Sequence, residues 1–143
     1  MGTWDAGPFD NDTAADFCGD LDEAGPGERE GIVRGVLAVV ADAAGDDYLE
    51  SPDSDRAVAA AALVAAQCPG GEPADSAYAP DEPLPDLVGL RGLALAALDR
   101  VMTEPSELLE LWEGPDGASW RAHVSRLRDV LRPRPPGEQF SLI

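Results

Sequence analysis

Residues Arg56 to Cys68 read RAVAAAALVAAQC, and this run limits what the chain can become. Alanine has the best helix propensity and little side-chain area to bury. A helix made of it must pack close to its neighbours and be covered on several sides, with Val58, Leu63 and Val64 as its larger groups. Pro52 or Asp53 can start this helix early, and Asp55 is a second candidate cap. The stretch Ala57 to Ala66 is too short to span a bilayer. On either side, apolar residues recur at helical spacing. A first helix carries Ala14, Phe17, Cys18 and Leu21 on one stripe. A second, from about Glu28 to Ala44, presents Ile32, Val36, Leu37, Val40 and Ala44, widened by Val33 and Val39. So broad a face predicts a central helix. Gly31 and Gly35 lie within it and leave room for a neighbouring helix, and Gly45 is the expected C-terminal cap. A fourth helix, about Asp86 to Met102, turns Leu87, Leu90, Ala94, Leu98 and Val101 inward. Ser106 caps a short helix, Glu107 to Trp112. Asp116 caps the last one, Gly117 to Leu131, with Trp120, Val124, Leu127 and Leu131 in register. No strand alternation, internal repeat or sustained heptad interrupts this pattern. The expected fold is all-α: a single compact domain of about six helices over residues 1–143. A Pro/Gly-rich loop at 69–85 and a Pro-rich tail at 133–143 complete it.

The N-terminal stretch GTWDAGPFDNDTAADFCGDL, Gly2 to Leu21, is the other unusual segment. Gly2 and Gly7 permit close backbone approaches. Trp4 is a large ring whose N–H needs a partner when buried. Pro8 pushes Gly7 out of the helical region. Phe9, Asp10, Asn11 and Asp12 then open the first helix, with Asp10 or Asn11 as cap. Asp12, Asp16 and Asp20 fall on one face, where like charges repel by roughly 0.2–0.5 kcal/mol per pair. That face is read first as solvated and structural, with Gly2, Trp4, Gly7, Pro8, Phe9, Asp10, Asn11, Asp12, Asp16 and Phe17 as a structural motif. A calcium loop fails on spacing: counted from Asp10, the sixth residue is Ala15 rather than Gly and the twelfth is Leu21 rather than Glu. Trp4 is expected to pack near the last two helices, beside Trp112 and Trp120.

The motif GTW-x-x-GPFDND-x-A-x-DF, with YLESPDSDRAVAAAALVAA and ELLELWE…W further on, resembles a bacterial family known as domain of unknown function 4259. The likeness runs over most of the chain. Asp5 stands where members often carry Gly. The resemblance implies no established activity and no assigned catalytic residues. It implies the neighbourhood of bacterial toxin–immunity and conflict systems.

Charge narrows the function classes. The chain has 28 acidic against 10 basic residues, a formal charge of −18, and every base is Arg. Such a surface opposes nucleic acid and anionic membranes and favours basic partners. The apolar fraction of 44% and the periodic helices exclude a disordered acidic chain. Cys18 and Cys68 have no CxxC spacing and read as reduced buried thiols. With no signal-peptide pattern at the N-terminus, a cytoplasmic location is expected. The lone histidine, His123, lacks the companions that zinc requires. No nucleophile elbow, phosphate loop or dinucleotide fingerprint is present. No catalytic residue, metal or cofactor is assigned. The preferred expectation is a non-enzymatic acidic interaction domain, immunity-like, that binds a basic protein partner. The alternative is a small enzyme with a divalent-metal carboxylate site around Asp10, Asp12 and Asp16.

Overall fold

The computed structural model describes residues 12–25, 27–43, 45–71 and 84–132. Within them the fold is all-α. Six helices follow in order: α1 (Asp12–Glu23), α2 (Arg29–Ala41), α3 (Ser51–Ala66), α4 (Arg91–Val101), α5 (Glu107–Leu111) and α6 (Ala118–Leu131). Short 3-10 turns at Val88–Leu90 and Pro115–Gly117 lead into α4 and α6. The segments 72–83 and 133–143, where the expected loop and tail fall, lie outside the described residues, as do residues 1–11.

The alanine helix is the hub. Every residue from Ala57 to Ala65 is buried. α3 packs against α1, α2, α4, α5 and α6, which small side chains make sterically feasible. It begins early: Pro52 sits in its first turn and Glu50 at the N-cap position, so Asp55, the other candidate cap, lies inside the helix. The first backbone N–H, from Ser51, is met by Glu107 Oε1 of α5 at 2.8 Å. At the other end, the Gln67 side chain receives Leu87 N–H at 2.6 Å and donates to Pro85 O at 2.9 Å. One carboxamide thus ties the chain entering the fourth helical segment to the end of α3.

Two stripes lie where their spacing puts them. Ala14, Phe17, Cys18 and Leu21 of α1 are all buried, and so are Leu87, Leu90, Ala94, Leu98 and Val101. On α6, Trp120, Val124 and Leu131 are buried and Leu127 is half-buried. Ser106 caps α5 as expected, its Oγ accepting Leu109 N–H at 3.4 Å. Leu49 and Ser106 form an isolated parallel bridge: Leu49 N–H reaches Pro105 O at 3.2 Å and Glu107 N–H reaches Leu49 O at 2.8 Å.

Five expectations are corrected. α2 is rotated: Val33, Leu37 and Val40 turn inward together with Arg29. Ile32 and Val36 stay half-buried and Val39 is 56% exposed. Gly31 and Gly35 face outward, and among the described residues a Cβ on either would meet nothing within 4 Å, so no described helix packs on them. α2 also ends at Ala41, where Asp42 N–H bonds Ala38 O at 2.9 Å, so Gly45 is not its cap. The expected helix from Asp86 starts instead as the 3-10 turn, with Asp86 Oδ1 accepting Val88 N–H at 3.0 Å. The N-cap position of α6 belongs to Gly117 rather than Asp116. A Cβ on Gly117 would run into the carbonyl oxygen of Trp112, which explains glycine there.

Candidate functional site

Of the ten residues of the N-terminal motif, Gly2, Trp4, Gly7, Pro8, Phe9, Asp10 and Asn11 lie outside the described residues. Asp12 and Asp16 are exposed on α1, and Phe17 is 3% exposed in the core. The structure therefore separates Phe17 from the two acids, which share a helix but not a face. Among the described residues no group of three or more His, Cys, Asp or Glu side chains is placed to hold a metal ion. Asp12 and Asp16 thus have no described third ligand.

The acidic side of α1 borders a shallow groove of about 490 Å³, lined by Asp16, Asp20 and Glu23 with Thr13, Gly19 and Arg56. Arg56 also lines a second groove, about 330 Å³, whose walls are Ile32, Gly35, Val36 and Val39 of α2 and Asp53 of α3. The two grooves meet at Arg56, which pairs with Asp53 at 3.1 Å. The surface is thus acidic on the α1 side and apolar on the α2 side. Periodicity flagged Ile32, Val36 and Val39 as core; Ile32 and Val36 do pack half-buried against it, and Val39 is exposed.

The described arginines bond within the chain rather than standing free at the surface. Arg29 Nε donates to Leu21 O at 2.8 Å and its Nη2 to Asp22 O at 3.3 Å, closing the C-terminal end of α1. Arg91 reaches three carbonyls at the end of α6: Val130, Leu131 and Arg132. Arg121 donates to Trp112 O and Gly114 O beyond α5. Arg100, 8% exposed, gathers Thr103 O, Pro105 O and Asp47 O. A guanidinium suits this because its planar fork of donors matches the unpaired carbonyls and negative dipole at a helix end. Arg34, Arg56, Arg128 and Arg132 pair with Glu30, Asp53, Asp99 and Asp129, and Arg126 lies 3.3 Å from His123 Nδ1. Nothing in side-chain spacing announces bonds to backbone carbonyls, so sequence reasoning missed them.

A third cluster surrounds the junction of α3 and α5. Burial raises the Asp55 carboxyl to about 6; neighbouring Arg56 opposes that rise and Glu107 adds to it. Tyr48 donates to Glu110 Oε1 at 3.2 Å. Desolvation, that hydrogen bond and the charges of Glu110, Glu107 and Glu50 hold its hydroxyl above the ordinary value. Ser54 Oγ is buried without a hydrogen-bond partner among the described residues. Glu107 is committed to the Ser51 amide. The cluster organises a helix start.

Both cysteines are free and buried. Burial, with the charge of Asp22, pushes the Cys18 thiol up to about 12, which keeps it protonated and unreactive. No described helix is long and apolar enough to cross a membrane.

Fold and surface together define a class: an acidic all-α domain in which four arginines, Arg29, Arg91, Arg100 and Arg121, are turned to its own backbone carbonyls. The family model described as Domain of unknown function (DUF4259) matches residues 2–123, and the chain belongs to that family. No curated protein and no solved structure matches it.

Proposed function

We propose that this protein is a non-enzymatic interaction domain of the bacterial cytoplasm, immunity-like in its role, that covers a basic protein partner with its carboxylates. The observation that carries the reading is the disposition of the arginines. Arg29, Arg91, Arg100 and Arg121 donate to backbone carbonyls, and four others sit in ion pairs within the chain. The excess of acids, −18 in formal charge, is left to attract cations from outside. Complementary charge speeds encounter and selects partners more than it adds affinity. That Cys18 and Cys68 are both free is in keeping with a reducing compartment.

The test is capture from lysate of the native host on the immobilised full chain, followed by affinity measurement on the recovered protein. A basic partner is expected, with affinity that falls steeply between low salt and a few tenths molar NaCl. A neutral or acidic partner, or an affinity indifferent to salt, overturns the reading.

A further inference from the structure

We infer that the paired grooves meeting at Arg56 form a seat for one amphipathic basic helix of a partner protein. This rests on the interaction reading above and names its surface. The first observation is the second apolar face of α2. Ile32, Val36 and Val39 follow one another at i, i+4 and i+7 beside the buried ridge of Val33, Leu37 and Val40; Ile32 and Val36 are half-buried at the edge of the core, and Val39 is exposed. Gly35 lies between them with nothing within 4 Å of its missing Cβ, so a partner backbone can come close. From Ile32 to Val39 the stripe rises roughly 10 Å, two helical turns, which suits an apolar helix face laid in a groove.

The second observation is charge. Across Arg56 from that stripe stand Asp16, Asp20 and Glu23, all exposed. Glu28 and Asp42 bracket the two ends of α2 and are exposed as well. Arg56, which lines the apolar groove, is paired with Asp53, and Arg34 of α2 is paired with Glu30. A helix with one apolar edge and an adjoining row of Arg or Lys fits both halves at once. A second copy of this chain brings −18 against −18, and an anionic membrane meets the same repulsion. A basic helix is the occupant that this charge distribution favours.

The probe is a labelled synthetic helix with Leu at i, i+4 and i+7 and Arg along one flank, titrated with the full chain by fluorescence anisotropy. A scrambled peptide of equal composition is the control. The patterned peptide is expected to bind about tenfold tighter than the scrambled one. Val39→Asp decides the matter by sign. Its site is exposed, so the fold is kept, which a thermal melt verifies. Attraction by acids alone would strengthen with one more carboxylate, whereas groove docking should weaken about tenfold. Asp16→Asn with Asp20→Asn should weaken binding severalfold at low salt and flatten its salt dependence.

The seat is overturned if Val39→Asp binds equally or better, or if the scrambled peptide does as well. It is equally overturned if sedimentation shows a dimer that Val39→Asp disperses, or if a peptide of residues 133–143 displaces the probe. If a basic lysate partner binds the wild type with salt-sensitive affinity but is untouched by Val39→Asp, the seat fails and the broader reading stands. If no basic partner is found at all, both fail.

Discussion

Asp55 shows how one buried carboxyl shapes the response to pH. Its pKa is higher folded, about 6, than the ordinary 3.8. Between those values the folded state holds more protons at this group than the unfolded one, so its contribution to stability falls as pH rises from about 4 to about 6. The rise corresponds to a ceiling of roughly 3 kcal/mol, which solvent reaching this half-buried group reduces. Asp55→Asn is therefore expected to raise the melting temperature at pH 7 and to flatten that descent. An unchanged pH profile, followed by circular dichroism, would refute the assignment. Ser54 invites a related test. Its hydroxyl is buried without a described partner, so Ser54→Ala should be neutral or stabilising by roughly 1 kcal/mol in urea titrations. Phe17, 3% exposed, points the other way: Phe17→Ala should cost about 3–5 kcal/mol. Phe17 was legible from spacing alone, because α1 has one apolar stripe and no rival. Asp55 was read as a candidate cap, but α3 begins at Ser51 and leaves it inside the helix; Glu107, whose charge adds to its raised pKa, arrives some fifty residues later.

Among the elements, what the sequence revealed depended on how many apolar ridges each helix carries. The inward residues of the α4 segment follow their periodicity because Leu87, Leu90, Ala94, Leu98 and Val101 form a single ridge. α2 has two ridges, Ile32–Val36–Val39 and Val33–Leu37–Val40, about 100° apart, and periodicity cannot choose between them. One feature of that choice is invisible in any window: Arg29 turns inward with the second ridge and holds the end of α1. Arg29→Met keeps the stem but removes those charged hydrogen bonds, and should cost roughly 1.5–3 kcal/mol by chemical denaturation. Arg29→Lys should recover little, since an ammonium lacks the flat fork. A Lys variant as stable as wild type would show that charge, not geometry, fixes the junction. Gly117→Ala tests a different constraint. The added methyl meets the Trp112 carbonyl oxygen, so it should destabilise by roughly 1–3 kcal/mol despite alanine's better helix propensity. The stacked Trp112 and Trp120 rings, 6.0 Å apart and 6° from parallel, offer a fluorescence readout beside it.

For the whole molecule, the acids set the response to ionic strength. Exposed carboxylates repel one another, and salt screens that repulsion beyond a Debye length of about 10 Å at 0.1 M. The melting temperature should rise between low salt and a few tenths molar NaCl, while association with a basic partner weakens over the same range. A melting temperature that falls with salt would mean that the surface ion pairs outweigh the repulsion; as exposed pairs they are worth little. Composition made this charge legible, and the alanine run made the hub legible, since nothing but a covered helix can be built from it. Which surface the charge adjoins was not legible, because the seat beside Arg56 joins α1 to α2 and α3 only once they are packed. The arginine bonds to helix-end carbonyls have a consequence of another kind. Arg29, Arg91, Arg100 and Arg121 grip the main chain, whose oxygens are the same whatever side chain each residue carries. These joints place no demand on which acids decorate the exterior. Substitutions can therefore rewrite the outer face for a new binding target while the scaffold beneath stays put, so that fold and recognition are free to evolve at separate rates.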